Sequence, residues 1–414
     1  MKIKHKLILV VSGAVLAGTL LLTSCSPLGC ATVILRGWPG GTLDNGTLFL
    51  ASMNGKIIAV NPSTNTVIGT SPQLTATSSG GLGCAPSSSP VSFYTTPVVS
   101  DITDQSTGVL TQIVYIGGWK NGIIYAYTLK NGVWSTAPEY VYPRQGSGTG
   151  DIVGNITLAN NSIYFATSDG TVYALTAADL TLEWSKKFDT KIWSAPAVDG
   201  NTLFIGCFNK NLYALNTADG SEKWHYQTAG AINSTPVVAD NTVYVGDYDR
   251  DFYAVDTNSG KLIWKFPAAD TAADNIPENF FWAEPVVVNG VIYAPNLDGH
   301  VYALDTATGK LVKDISLGSS ISSSPVVIGN NIVVATSVAS YAESKQKADI
   351  YIINASDYSV SAPIELPLHE AVNAPLFANG NIVYVHTYKD NLYSINTAAP
   401  QTQPTLLFDL NTLK

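Results

Sequence analysis

Three consecutive segments of this chain say the same thing in register. SIYFATSDGTVYALTAADLTLEW ends at Trp184, TLFIGCFNKNLYALNTADGSEKW at Trp224 and TVYVGDYDRDFYAVDTNSGKLIW at Trp264. Tyr173, Tyr213 and Tyr253 stand 40 residues apart, as do the three tryptophans. A fixed period of this length means one supersecondary unit repeated in space, stacked so that neighbours bury faces no unit can bury alone. Within a unit the chemistry is that of strands. The β-branched and aromatic run Thr242–Val245 gives way to polar turn residues, and Asp251–Val255 follows. A turn ending in Gly260, twin of Gly220, then leads into Lys261–Trp264, where a tight hairpin calls for positive φ. With the short run Ser234–Val238 upstream, each unit holds four short strands. That pattern predicts an all-β fold, a propeller of four-stranded antiparallel blades.

The register extends in both directions. The tyrosine position recurs at Tyr302, Tyr351 and Tyr393, and backwards at Tyr125 and, without the ring, Ile58. A proline opens most units: Pro97, Pro196, Pro236, Pro285, Pro325 and Pro375, with Gly41 and Ile156 at the aligned place in the other two. Proline suits a strand's first residue, where its missing N–H breaks no ladder. The two signals agree on eight blades. The segment Ala-Val-Asp-Thr-Asn-Ser-Gly-Lys-Leu-Ile-Trp (254–264) resembles the repeat of PQQ-type eight-bladed propellers, which include quinoprotein dehydrogenases and BamB-type envelope lipoproteins. The resemblance implies that Trp184, Trp224 and Trp264 dock one blade on the next. It departs from the pattern at Lys313, where the tryptophan is missing, and in the first blade.

Residues 1–24 are a targeting segment: Lys2, Lys4 and Lys6, then an apolar run to Leu22, then Leu22-Thr23-Ser24-Cys25, which resembles a lipobox. Cleavage before Cys25 with lipid on its thiol gives residues 25–32 as a tether and 33–414 as the propeller. The membrane is thus one expected partner, through Cys25, and the chain is expected to be exported and to face the periplasm or exterior from a cell or outer membrane. Loss of the leader leaves 19 basic against 31 acidic residues and no basic run, which makes nucleic acid a poor partner. Past Cys25 the cysteines number three, of which Cys30 and Cys84 are the pair to test for a disulfide; Cys207 is expected reduced and half-buried. Ser71–Ser92, rich in Ser, Gly and Pro, reads as a long loop, and Trp119 as an exposed turn residue outside the repeat.

Candidate sites follow from the register. Three residues before each opening proline stand Trp38, Tyr94, Val153, Trp193, Asn233, Trp282, Ser322 and Val372. If first strands are innermost, these ring one mouth of the central channel, with Glu284 and Glu278 nearby. Four aromatics and a few polar groups suit a small ligand or a glycan; they equally suit a plug for a wide channel. Asp247–Asp251 has alternating carboxylates but aligns with a turn in the other blades and lacks the glycine and distal glutamate of a calcium loop. No cysteine pair or Asp/Glu/Asn set matches a quinone–calcium centre. The reading is therefore a non-catalytic, lipid-anchored, BamB-like scaffold binding envelope proteins, with no cofactor and no metal. The alternative is a receptor using Trp38, Tyr94, Trp193, Asn233, Trp282 and Glu284, and a PQQ-dependent dehydrogenase ranks below both.

Overall fold

The computed structural model describes residues 38–78, 87–144, 148–337, 348–368, 370–400 and 402–413. The leader, Cys25, the 25–32 tether, Cys30, Cys84 and the polar tip Ala342–Lys347 lie outside these residues. Leu35–Ala76 and Pro90–Lys414 form one compact unit. It contains eight sheets with strands ordered as in the chain: blade 1 (41–70), blade 2 (98–142), blade 3 (157–187), blade 4 (197–227), blade 5 (237–266), blade 6 (286–316), blade 7 (326–365) and blade 8 (377–409). Each has four strands except blade 2, where the outer edge is split into two short strands, Val133–Trp134 and Tyr140–Tyr142, that both pair with Ile124–Lys130. All pairings are antiparallel. First strands approach one another around the ring, and that of blade 8 meets that of blade 1. The first strand is therefore innermost, and every blade is built from one continuous stretch of chain.

Second and third strands are buried on both faces, which is why they read as near-continuous apolar runs rather than as alternating ones. Alternation still decides which neighbour each side chain meets. In blade 3, Ile163 and Phe165 pack toward blade 2 while Tyr164 and Ala166 pack toward blade 4. The core is thus distributed as eight clusters, one in each seam between neighbouring blades.

The repeat tryptophans sit in these seams. The indole N–H of Trp184 donates to the Thr217 carbonyl at 2.8 Å, that of Trp224 to Thr257 at 2.9 Å and that of Trp264 to Thr306 at 2.8 Å, each in the following blade. Each ring lies on the glycine of that blade's outer turn. Gly220, Gly260 and Gly309 have φ of +69°, +67° and +70°, and a Cβ there would come within 2.6, 2.7 and 2.4 Å of the indole. Glycine is needed twice over, for the left-handed backbone and for the ring's approach.

Where the tryptophan is lost, the partner changes with it. Lys313 pairs with Ala303 at the tryptophan's register position in blade 6, and the αL place in blade 7 is taken by Tyr358 (φ +59°), which packs into that seam. Tyr140 holds the position in blade 2, and Leu180 (φ +57°), fully buried, faces it from blade 3. Blade 1 inverts the couple. Gly69 takes the tryptophan's place, and Trp134 of blade 2 reaches back over it.

The last seam closes the ring. Leu48, Leu50, Ile58 and Val60 of blade 1 pack against Phe377, Tyr384 and Leu392 of blade 8. Beside them the His386 ring is buried, with Nδ1 2.8 Å from the Pro39 carbonyl and Nε2 2.7 Å from Asp390. Both ring nitrogens are thus held by groups of the closing seam. The other Asp390 oxygen accepts the Met53 N–H at 3.0 Å, and Lys56 reaches the Leu413 carbonyl at 3.0 Å.

Two expectations are corrected. Ser71–Ser92 is not simply a loop: Thr75–Ser78 pairs with Ser87–Pro90 as a two-stranded ribbon, in keeping with the strand preference of its threonines. Trp119 is not exposed. It keeps only 7% of its surface, lying edge-on to Tyr94 with ring centroids 4.6 Å apart.

These seams set up a double-mutant test. Trp264→Ala should cost about 3–5 kcal/mol, as for a large aromatic deleted from a core. Trp224, more exposed, should cost less than Trp264. Gly309→Ala alone collides with Trp264 and is strained; in the Trp264→Ala background only the left-handed backbone penalty of about 1–2 kcal/mol should remain. Additive losses in denaturant titrations would show that the glycine and the indole are not coupled. Trp119→Ala should also destabilise by several kcal/mol.

Candidate functional site

The segment leading into the first strand alternates between buried and half-buried residues most clearly at Phe93–Val98, Phe281–Val286 and Ile321–Val326. In extended backbone this places residues three and one before the proline, and the one after it, on a common face. Because first strands are innermost, that face is the channel. Trp282 and Glu284 share it on blade 6, Tyr94 and Thr96 on blade 2. Neighbouring blades are stitched here: Gly40 N–H donates to Thr96 Oγ1 at 3.2 Å, Thr96 N–H to Asn155 Oδ1 at 2.8 Å and Glu284 N–H to Ser324 Oγ at 3.2 Å.

The predicted mouth residues fall into two aromatic groups. Trp38 meets Tyr94 edge-on at 5.0 Å, and Tyr94 meets Trp119. Burial, then the neighbouring Tyr388, pushes the Tyr94 hydroxyl up to about 12. On the other side Trp193 meets Phe208 at 4.9 Å, Phe208 meets Tyr248 at 5.8 Å, Tyr248 meets Phe280 at 4.5 Å and Phe280 meets Trp282 at 6.4 Å. Trp38, Tyr94, Trp193 and Trp282 are all half-buried. Val372 is fully buried and belongs to the seam between blades 7 and 8. Glu278 is exposed, and its N–H donates to Asp298 at 3.0 Å.

Sequence reasoning missed Phe208, Tyr248, Phe280, Trp119 and Tyr388. Four of them occupy one repeat position: Trp119, Phe208, Tyr248 and Tyr388 follow Gly118, Cys207, Asp247 and Thr387, in the turn after the second strand. Large apolar rings recurring at a turn position are the signal that could have found them. The turn itself is built by the residue before them. Asp247 is fully buried: one oxygen accepts the Asp249 and Asp251 N–H groups at 2.9 and 3.0 Å, and the other the Gly230 N–H at 2.7 Å and the Tyr253 hydroxyl at 3.2 Å. This carboxylate organises backbone and is saturated by protein donors, as expected of a turn. Cys207, at the same position in blade 4, is a free thiol that is fully buried, not half-buried, and desolvation pushes its pKa up. No group of three or more His, Cys, Asp or Glu side chains among the described residues could hold a metal ion.

Two polar groups at the mouth stand apart. Asn233 is 8% exposed, and its Oδ1 accepts no hydrogen bond. Glu284 keeps some contact with water but lies deep among protein atoms, and that desolvation raises its carboxyl from 4.5 to about 7. Folding therefore costs free energy once the unfolded carboxyl ionises. The folded state binds more protons between about pH 4.5 and 7, so stability falls as pH rises through that window, by about 3 kcal/mol at most. Glu284→Gln removes the effect. Its Tm advantage over the parent should grow from pH 4.5 to 7 and level off above; a pH-independent difference would refute the raised carboxyl.

Residues 169–348 match the family model described as outer membrane protein assembly factor BamB, the PQQ-type repeat. No curated protein matches the chain. Among solved structures, BamB from Moraxella catarrhalis is 19% identical, covering 58% of this chain and 69% of that one with a TM-score of 0.47. The computationally designed Ika8 protein is 14% identical over 87% of this chain and 96% of its own, with a TM-score of 0.63. The Neurospora crassa Pan2 WD40 domain is 12% identical, covering 62% and 78%, with a TM-score of 0.48. Residues 169–348 thus carry the PQQ-type repeat of the BamB family model, and the repeat and the eight seams that use it make the described chain an eight-bladed β-propeller.

Proposed function

We propose that the chain is a non-catalytic, lipid-anchored propeller of the cell envelope that scaffolds other envelope proteins, the kind of role named by the assembly-factor description of the family model that residues 169–348 match. The supporting observation is the outer rim. Fourth strands are the free edges of their sheets and carry exposed aliphatic side chains: Val67 and Ile68 on blade 1, Leu182 on blade 3, Leu262 and Ile263 on blade 5, Val312 on blade 6 and Leu406 on blade 8. An unpaired strand edge with apolar side chains is a template for an added strand or a partner's apolar face. A soluble protein without partners has reason to cover or charge such edges. The Leu22-Thr23-Ser24-Cys25 motif supplies the anchor in this reading, holding the rim near the membrane where envelope proteins assemble.

The test uses the intact lipoprotein in its own membranes, with a photo-crosslinking residue beside Ile263. A discrete adduct with an envelope protein is expected, and Leu262→Lys with Ile263→Glu should cut its yield severalfold while leaving the melting curve in place. Unchanged yield would overturn the rim as the contact surface. Cys25→Ala should shift the protein to the soluble exported fraction or leave an uncleaved precursor; unchanged membrane extraction and unchanged mass would refute the anchor.

A further inference from the structure

In blades 1 to 7 three positions face the channel, the third and first residues before the opening position and the one after it. In blade 8 the alternation is shifted by one, so that Val372 and Leu376 pack in the seam and Asn373 and Pro375 are the half-buried residues. Across the eight blades these include tryptophans, tyrosine, valines, threonines, serines, alanines and asparagines, and a single charged side chain, Glu284. The other titratable group among them is Tyr94, pushed up to about 12 and so uncharged at neutral pH. No protein cation at these positions answers Glu284. Asn233, on the neighbouring blade 5, adds a second acceptor without a donor. In blade order Asn233 stands between Trp193 and Trp282, the ends of the aromatic arc, and Glu284 stands two residues after Trp282 on the same face of the same segment.

We propose that the channel mouth between blades 5 and 6 binds an alkylammonium group, held by the Glu284 carboxylate and the Asn233 amide oxygen against the aromatic arc. The chemistry selects this class. Buried acceptors without donors call for a ligand that donates, and an ammonium has three N–H donors and no acceptor. Its charge answers the carboxylate, and aromatic faces attract a cation while packing its alkyl chain. An anion meets the lone carboxylate and an acidic chain. A divalent metal needs several oxygen ligands, and the channel positions offer one carboxylate. The excess of acidic over basic residues also draws cations to the surface. This site stands whether or not the rim binds proteins, since the two share no residue.

The experiment measures tryptophan fluorescence and calorimetry on the mature chain at pH 8, with n-butylammonium, a blocked lysine amide and neutral n-butanol as probes. Saturable binding of butylammonium, with no response to butanol, is expected. Response to the blocked lysine as well identifies a protein side chain as an acceptable source of the ammonium; response to butylammonium alone identifies a free amine. Glu284→Gln should weaken binding at least tenfold, and Trp282→Ala severalfold. Below the carboxyl's titration near pH 7, proton competition should lower the parent's affinity by about tenfold per pH unit. That slope carries the test if Glu284→Gln does not fold. Equal response to butanol, unchanged affinity in Glu284→Gln, a flat pH profile or no saturable binding would each overturn the site.

Discussion

Everything in this molecule depends on the seam between neighbouring blades. A single four-stranded blade exposes two apolar faces, because its second and third strands are buried on both sides, and neither face has a partner within its own repeat. Burying an apolar side chain contributes roughly 1.5–3 kcal/mol, and each seam buries about ten of them. Stability therefore comes from adjacency, and a blade detached from its neighbours has little to hold it together. An open stack would leave two such faces exposed at its ends. The ring resolves this by meeting itself, and the seam between blades 8 and 1 differs from the others in the cross-link added there. His386 and Asp390 are buried together and grip Pro39 and Met53, backbone groups at the start of the chain, some 340 residues earlier. Removing either partner leaves buried polar groups without a hydrogen bond, a larger penalty than the pair's own net contribution. It makes the closing seam specific as well as sticky.

The seam also explains how much of the fold could be read from one dimension. The repeat declares itself because Trp184, Trp224 and Trp264 need Gly220, Gly260 and Gly309, and both halves of each couple recur at the same period. What periodicity cannot show is that a couple spans two repeats. Lys313 looks like decay of the pattern when read alone. Beside Tyr358 it is a substitution answered in the next blade, where the space vacated by the indole is filled from the position that glycine kept empty. Tyr140 with Leu180 and Gly69 with Trp134 are further solutions of the same packing problem. The ends of the repeat seemed weak because each blade was compared with its equivalents rather than with its neighbour. Trp119 was misread for a related reason. Turn residues are usually solvated, but in a ring the turns after second strands on one face crowd toward the axis and are covered by entry segments, as the Trp119 N–H to Ser92 hydrogen bond at 2.9 Å shows.

The mouth was legible to the extent that proline fixed its register. Counting back from Pro196 and Pro285 finds Trp193 and Trp282 without a structure, since extended backbone preserves parity. Counting could not find Phe208, Tyr248 or Phe280, which reach the same arc from turns and from a loop with no repeat equivalent. Nor could it distinguish the two acidic candidates. Asp247, in a run of alternating carboxylates, and Glu284, alone in its segment, give no sign in sequence of their hydrogen bonding, yet the first is consumed by backbone and phenolic donors and the second has none. The difference lies in donors contributed by chain segments that fold back over one group and not the other.

That contrast bears on what Glu284 is for. A buried carboxyl that stabilises a fold does so by accepting hydrogen bonds, as Asp247 does from Gly230, Asp249, Asp251 and Tyr253. Glu284 accepts nothing comparable, and its raised pKa means that the folded state resists the charge it would carry at neutral pH. The Ser324 hydroxyl meets its backbone N–H, not its carboxylate, and threonine, serine or alanine serves at the equivalent position of most other blades. The ring would close as well with such a residue here, and without the desolvation penalty. An unrepaid cost at one position of an eightfold repeat, beside a cluster of rings that no other quarter of the mouth matches in extent, is the pattern of a group kept for an occupant rather than for the fold. A cation entering from solvent lowers the carboxyl's pKa and offsets the desolvation that folding imposes, so binding and the relief of that strain are one event.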